Sequence, residues 1–126
     1  MSTIKFMQQT LFEKYGGVPA VTLIVRDFYK RVLKRPNLRR YFVNVKIQDL
    51  IVHQVAFVST AMGKMPSDYA GRNMKEAHRG LGITTASFDL IVEIFEDALR
   101  YHEVTEEDVV QISKVIKKYK KDIVEK

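Results

Sequence analysis

Three side chains able to do chemistry stand where the surrounding pattern is apolar: His78, Gln54 and Tyr29. His78 lies four residues after Met74 and three before Leu81, which puts an imidazole on the apolar side of a short, glycine-ended segment. No Asp or Glu accompanies it at the spacing of a hydrolytic metal site. Gln54 interrupts the stripe Ile47, Leu50, Ile51, Val58 and Ala61, where its amide should be buried. Tyr29 stands beside Val25 and Phe28, so its hydroxyl is placed to turn inward. Each residue also has a plain structural reading. A buried His can be a hydrogen-bonded core residue, a Gln can bond a backbone carbonyl or a water, and a Tyr can pack with its hydroxyl in solvent. Yet an amide left unsatisfied in a core costs about 1–3 kcal/mol. Two inward polar groups on separate segments therefore also fit one shared polar target.

The elements that must position these groups are helical. Glycines and prolines are few, and the stretches between them repeat apolar residues at helical spacing over lengths too great for ordinary strands. Thr10-Leu11-Phe12-Glu13 reads as a capping box opening one short turn, which Gly16-Gly17 ends. Val18, Val21, Val25, Phe28 and Val32 form a stripe that Pro36 closes. The Gln54 stripe stops near Gly63. Thr84 caps a third helix with Phe88, Ile91, Val92, Phe95 and Leu99 inward. Thr105-Glu106-Glu107-Asp108 opens a fourth, carrying Val109, Ile112, Ile116, Tyr119 and Ile123. Residues 63–83 hold four of the six glycines, so they read as loop with one or two helical turns around Arg72 to Arg79. The reading is all-α, a single domain over residues 1–126.

Composition narrows the chemistry further. A chain of 126 residues has the size of one domain, and 46% hydrophobic residues give it a core. The absence of Cys removes disulfides, thiol catalysis, zinc–thiolate sites, iron–sulfur clusters and thioether-linked haem. No apolar run nears the ~20 residues that span a bilayer, and the start lacks a signal-peptide plan, so a cytoplasmic protein is expected. The formal charge of +6 gathers in pairs such as Lys30-Arg31, Lys34-Arg35, Arg39-Arg40, Lys117-Lys118 and Lys120-Lys121. Such pairs steer phosphate backbones or an acidic redox partner. Acidic residues lie among them and no recognition-helix motif occurs, so a solvated basic surface is expected and nucleic-acid binding is not.

Several ordered blocks go beyond composition. Leu11-Phe12-Glu13-Lys14-Tyr15-Gly16-Gly17, Asp27-Phe28-Tyr29-Lys30-Arg31-Val32-Leu33, Tyr41-Phe42, His53-Gln54-Val55-Ala56-Phe57, Tyr69-Ala70-Gly71-Arg72 and Glu76-Ala77-His78-Arg79-Gly80-Leu81-Gly82-Ile83-Thr84 occur in that order. With these blocks the chain resembles the truncated, two-over-two haemoglobins, most closely their first group, over about residues 11–124. The resemblance implies a helical sandwich around one haem, with His78 as the proximal iron ligand and its other ring nitrogen bonded to a backbone carbonyl. It implies Phe42 wedged against the haem face, and Tyr29 and Gln54 as distal donors. Leu50 takes the place of a distal His, and Tyr69 contacts a propionate. Phe57, Met74, Leu81, Phe88 and Ile116 become the apolar wall. Where the family usually carries a glycine pair, this chain reads Gly63-Lys64-Met65-Pro66.

Function follows from the same resemblance. Dioxygen on ferrous haem gains negative charge on its outer atom, and fixed O–H and N–H donors in a dry pocket stabilise it as an oxyanion hole would. This implies slow oxygen release and oxidation of nitric oxide to nitrate, with O2, NO and CO as ligands. Nothing in the chain resembles a flavin or nicotinamide site, so the electron donor would be a separate reductase. A monomer is expected. The alternative concerns His53, about 100° around the helix from Gln54. It reads as a surface or propionate-bonding residue, as a sixth iron ligand opposite His78, or as an unrelated solvated His. The sixth-ligand reading makes a bis-histidyl globin for redox, electron transfer or sensing. His102 reads as solvated. No His follows it, so the covalent link that some relatives make from the last helix is unavailable and noncovalent haem b is expected.

Overall fold

The chain, a computed structural model describing residues 9–64 and 74–125, is helical throughout its regular parts, with no strand among the described residues. The elements are α1 (Leu11–Lys14), α2 (Gly17–Val32), α3 (Pro36–Arg39), a 3-10 turn (Arg40–Phe42), α4 (Ile47–Ala61), α5 (Met74–His78), α6 (Thr85–Tyr101), α7 (Glu106–Lys117) and α8 (Lys120–Ile123). The all-α expectation is met. Two helix pairs make the body: α2 packs on α4, α6 packs on α7, and contacts from α2 to α6 and from α4 to α7 join the pairs.

Local chemistry sets the helix ends. Thr10 accepts from the Glu13 amide while the Glu13 carboxylate accepts from the Thr10 amide, the reciprocal cap read in the sequence. Thr84 caps α6 through Ser87 and Thr105 caps α7 through Asp108. Three boundaries differ from the periodicity. Pro36 ends one helix but also opens α3, because a proline at the first helical position lacks only an amide that would be unpaired anyway. The last helix breaks at Lys118-Tyr119 before resuming as α8, although its apolar spacing runs on to Ile123. Val18 is 45% exposed, so the α2 stripe begins at Val21.

The core is the sum of those stripes. Val21, Ile24, Val25, Phe28 and Val32 of α2 meet Phe88, Val92, Phe95 and Leu99 of α6, and burial of each such side chain is worth about 1.5–3 kcal/mol. Phe28 stands edge-on to Phe95 at 5.6 Å and to Tyr29 at 4.9 Å. Away from the apolar centre, the buried Asp108 ties α1 to α7 by accepting from Lys14 Nζ at 2.8 Å and the Tyr15 hydroxyl at 2.5 Å. The Lys14 ammonium and then the Tyr15 hydroxyl hold its carboxyl below the ordinary carboxylate value. His102 departs from its solvated reading. Its Nε2 is enclosed 3.3 Å from Oδ2 of Asp27, linking the end of α6 to the middle of α2. No helix among the described residues is long and apolar enough to cross a membrane.

Candidate functional site

Between the helix pairs the apolar stripes do not close on one another. They leave a cavity of about 660 Å³, a volume suited to a cofactor-sized ligand. Its wall is mostly aliphatic and aromatic, with Phe28, Phe57, Phe88, Val92 and Phe95 at depth. The polar exceptions come from different helices: Tyr29 from α2, Gln54 from α4 and His78 from the end of α5 all line this one space.

His78 is held by its own helix. The Met74 carbonyl can only accept, so the 2.7 Å contact to Nδ1 makes that nitrogen the N–H donor. Nε2 is then the lone-pair nitrogen, the atom suited to a metal. The five-residue helix α5 is too short to be stable alone, and the chain around it supplies the support. Gly80 and Gly82 both have positive φ (82° and 67°), a region open to glycine without strain. In that conformation their amides donate to the two carboxylate oxygens of Glu125 at 2.9 and 2.8 Å, and the Glu125 amide donates to the Ile83 carbonyl at 2.9 Å. The C-terminal segment thus clasps the loop that follows His78. Nothing in the apolar periodicity marked Glu125 for this task.

Tyr29 is 4% exposed, its ring edge-on to Phe42 at 5.9 Å. Its hydroxyl makes no hydrogen bond among the described residues, and burial pushes the phenol well above its ordinary value. Tyr29 therefore stays a neutral O–H donor in the cavity wall. Gln54 is half-buried, less enclosed than its stripe implies, because the cavity replaces the packed neighbours that would have covered it. Phe42, Leu50, Phe57, Met74, Phe88 and Ile116 line the same space, and Leu81 does so from its rim at 44% exposure. His53 also lines the cavity, and it is an exposed residue. Tyr69 lies outside the described residues. Among the described residues no group of three His, Asp or Glu side chains is placed to hold a bare metal ion.

Other wall residues carry no sign of it in their spacing. Val45 sits in the loop before α4, in no periodic stripe, yet lines the cavity. Tyr41 also lines it while its hydroxyl donates to Ser87 Oγ at 3.0 Å. Ile91, Val92, Phe95 and Ile123 are inward by periodicity, but a stripe alone cannot separate a packed core from a cavity wall.

Comparison with known proteins finds similarity to one family. The sequence model described as bacterial-like globin matches residues 10–125. A group 1 truncated hemoglobin of Tetrahymena thermophila is 35% identical over 115 residues, covering 91% of this chain and 94% of that protein. One from a Synechocystis species is 36% identical over 110 residues, 84% of this chain and 88% of that one. Among solved structures, the Fe(III) truncated hemoglobin of Tetrahymena pyriformis superposes with a TM-score of 0.83 at 34% identity, covering 94% of this chain and all (100%) of that one. The 2/2 hemoglobin of a Synechococcus species, in a cyanomet state with covalently attached heme, gives 0.81 at 29% identity with the same coverage, 94% and 100%.

The clasp is testable without any ligand. In Glu125→Ala the Gly80 and Gly82 amides should lose their protection from hydrogen exchange, while the amides of α2 and α6 keep theirs, because these bonds are local and solvent-exposed. Unchanged protection at both glycines would remove Glu125 from the support of α5.

Proposed function

This chain belongs to the group 1 truncated haemoglobins, and from that premise we propose that His78 holds a noncovalent haem b whose gas-binding face looks toward Tyr29 and Gln54. Membership of the family carries haem binding and, with it, binding of dioxygen and other diatomic gases. The residues present fit the group. A cavity of about 660 Å³ with an apolar wall accepts a flat hydrophobic macrocycle, and the lone-pair nitrogen of His78 suits its iron. The noncovalent reading rests on the sequence. It has no Cys, and its histidines are 53, 78 and 102, none of them in the final helices. The covalent attachment belongs to the Synechococcus relative.

When bound, haem supplies the iron at which a diatomic gas coordinates. The chain's own contribution is to shape the space around that gas. Tyr29 offers an O–H that burial keeps protonated, and Gln54 an N–H from α4, the helix packed against α2. Leu50 on the same wall can donate nothing and excludes water. Fixed donors in a dry wall favour a ligand that gathers negative charge on its outer atom, since they need no reorganisation to meet it. The single observation carrying this reading is that His78, Tyr29 and Gln54 line one cavity. The physiological reaction we assign is oxidation of nitric oxide, NO + O2 + e⁻ → NO3⁻, in which the electron comes from a separate reductase. His53 we assign to a propionate, a reading supported by its exposure and its place in the cavity wall. A second reading makes it the sixth ligand opposite His78, supported by its place in the cavity wall. Incoming gas would then have to displace it, lowering apparent affinity by the fraction of open protein and favouring redox or sensing roles.

Three measurements check these assignments. The purified protein should show a haem Soret band, and His78→Ala should retain haem poorly; a protein that stays colourless with added haemin ends the reading. Tyr29→Phe and Gln54→Leu should each speed oxygen dissociation roughly ten- to hundredfold, since a hydrogen bond to a charged acceptor is worth about 1.5–3 kcal/mol. Off-rates equal to the parent's would take both donors away from the gas. For His53, a rim residue leaves the spin state of the ferric protein unchanged in His53→Ala, whereas conversion from low to high spin would make it the sixth ligand.

A further inference from the structure

The largest excess of positive charge in this protein lies in one stretch. Residues 26–46 hold eight cations against Asp27 alone, a net charge of +7, while the whole chain is +6; everything else sums to −1. Within that stretch Arg31 is bonded to Asp27 and Arg40 to the Tyr41 hydroxyl. The other six, Arg26, Lys30, Lys34, Arg35, Arg39 and Lys46, are exposed and make no ion pair among the described residues. Elsewhere some cations are paired in place, as in Lys14–Asp108, Arg100–Glu106 and Lys120–Asp89, while Lys114, Lys118 and Lys121 are exposed and make no ion pair among the described residues.

Part of the belt flanks an apolar loop at the edge of the cavity. Arg39 and Arg40 precede, and Lys46 follows, a loop in which Val43 is 74% and Val45 is 40% exposed. Phe42 and Val45 on that loop line the cavity itself. An apolar centre rimmed by charge is the anatomy of a small protein–protein interface, and transient redox encounters occupy the smallest of these. A phosphate backbone would use the cations but has nothing to place on Val43. A second copy of the chain, itself strongly basic, is repelled.

We propose that the belt formed by residues 26–46, centred on Val43, is the docking surface for an acidic one-electron carrier protein that re-reduces the haem. The inference rests on the haem reading above and names the partner that it requires. One electron leaves the carrier's reduced centre and is taken up by the ferric iron, with no atom transferred. Cations at the belt steer the carrier to the cavity edge, and the valines lose water when it seats.

The test uses the haem-loaded protein and a reduced plant-type [2Fe–2S] ferredoxin as an acidic probe, with dithionite as a small reductant. The rate of reduction by ferredoxin should fall about tenfold or more from low to moderate salt. It should fall similarly in Arg39→Glu/Lys46→Glu, while Lys118→Glu/Lys121→Glu, with the same change in net charge, stays near the parent. Dithionite should reduce all three alike. Titrating oxidised ferredoxin should shift backbone amides of residues 26–46 and few others. Equal slowing by both double variants, or amide shifts spread elsewhere, overturns the surface. So does a DNA duplex or an anionic lipid vesicle that binds the belt and displaces ferredoxin at physiological salt. Loss of the haem spectrum, or failure of dithionite itself, would instead mark failure of the haem reading.

Discussion

The hydrogen bond from His78 Nδ1–H to the Met74 carbonyl decides which side of the imidazole remains for chemistry. A histidine can carry its proton on either nitrogen, and the two forms differ in which lone pair they present. By committing Nδ1 to a backbone acceptor one helical turn earlier, α5 leaves Nε2 as the lone-pair nitrogen and restrains the ring. The contact spans the whole of this five-residue helix, from its last residue to its first. The requirement then spreads outward. The helix must be held rigidly, and the Glu125 carboxylate on Gly80 and Gly82 does this from the far end of the chain.

The opposite wall has a different burden. Burying a phenol hydroxyl with no partner is costly, and packing Gln54 within an apolar stripe would be too. The fold accepts both because neither faces a filled core: each borders a space where a polar ligand can be met. Tyr29 is kept in place by aromatic contacts on its ring, to Phe28 and Phe42, which leaves the hydroxyl uncommitted. Such a division lets the site be both rigid and unsatisfied, as a preorganised donor must be.

Much of the architecture is legible in the residues one by one. The Thr10–Glu13 box, the Thr84 and Thr105 caps and the apolar repeats of the four long helices reappear at nearly the expected places. These are local events, set by a hydroxyl, a carboxylate or a spacing within one or two turns. The misreadings share an origin in tertiary context. Val18 has apolar character but no facing element, and the spacing through Tyr119 conceals a break between two helices that each pack separately. His102 looks solvated beside polar neighbours, yet the crossing of α2 by the end of α6 encloses it against Asp27.

The amino-acid order by itself determined the helical class, the capped helix starts, most of the inward faces and, through its resemblance to a known family, which few polar residues to watch. Only the tertiary structure decided that those faces stop short of one another and that Tyr29, Gln54 and His78 share the resulting space. It alone assigned Val45 to the wall and Glu125 to the support of α5. The physical reason is range. Caps and stripes are written in contacts across three or four residues, whereas a cavity is what remains when distant surfaces fail to meet, and no local pattern encodes a gap.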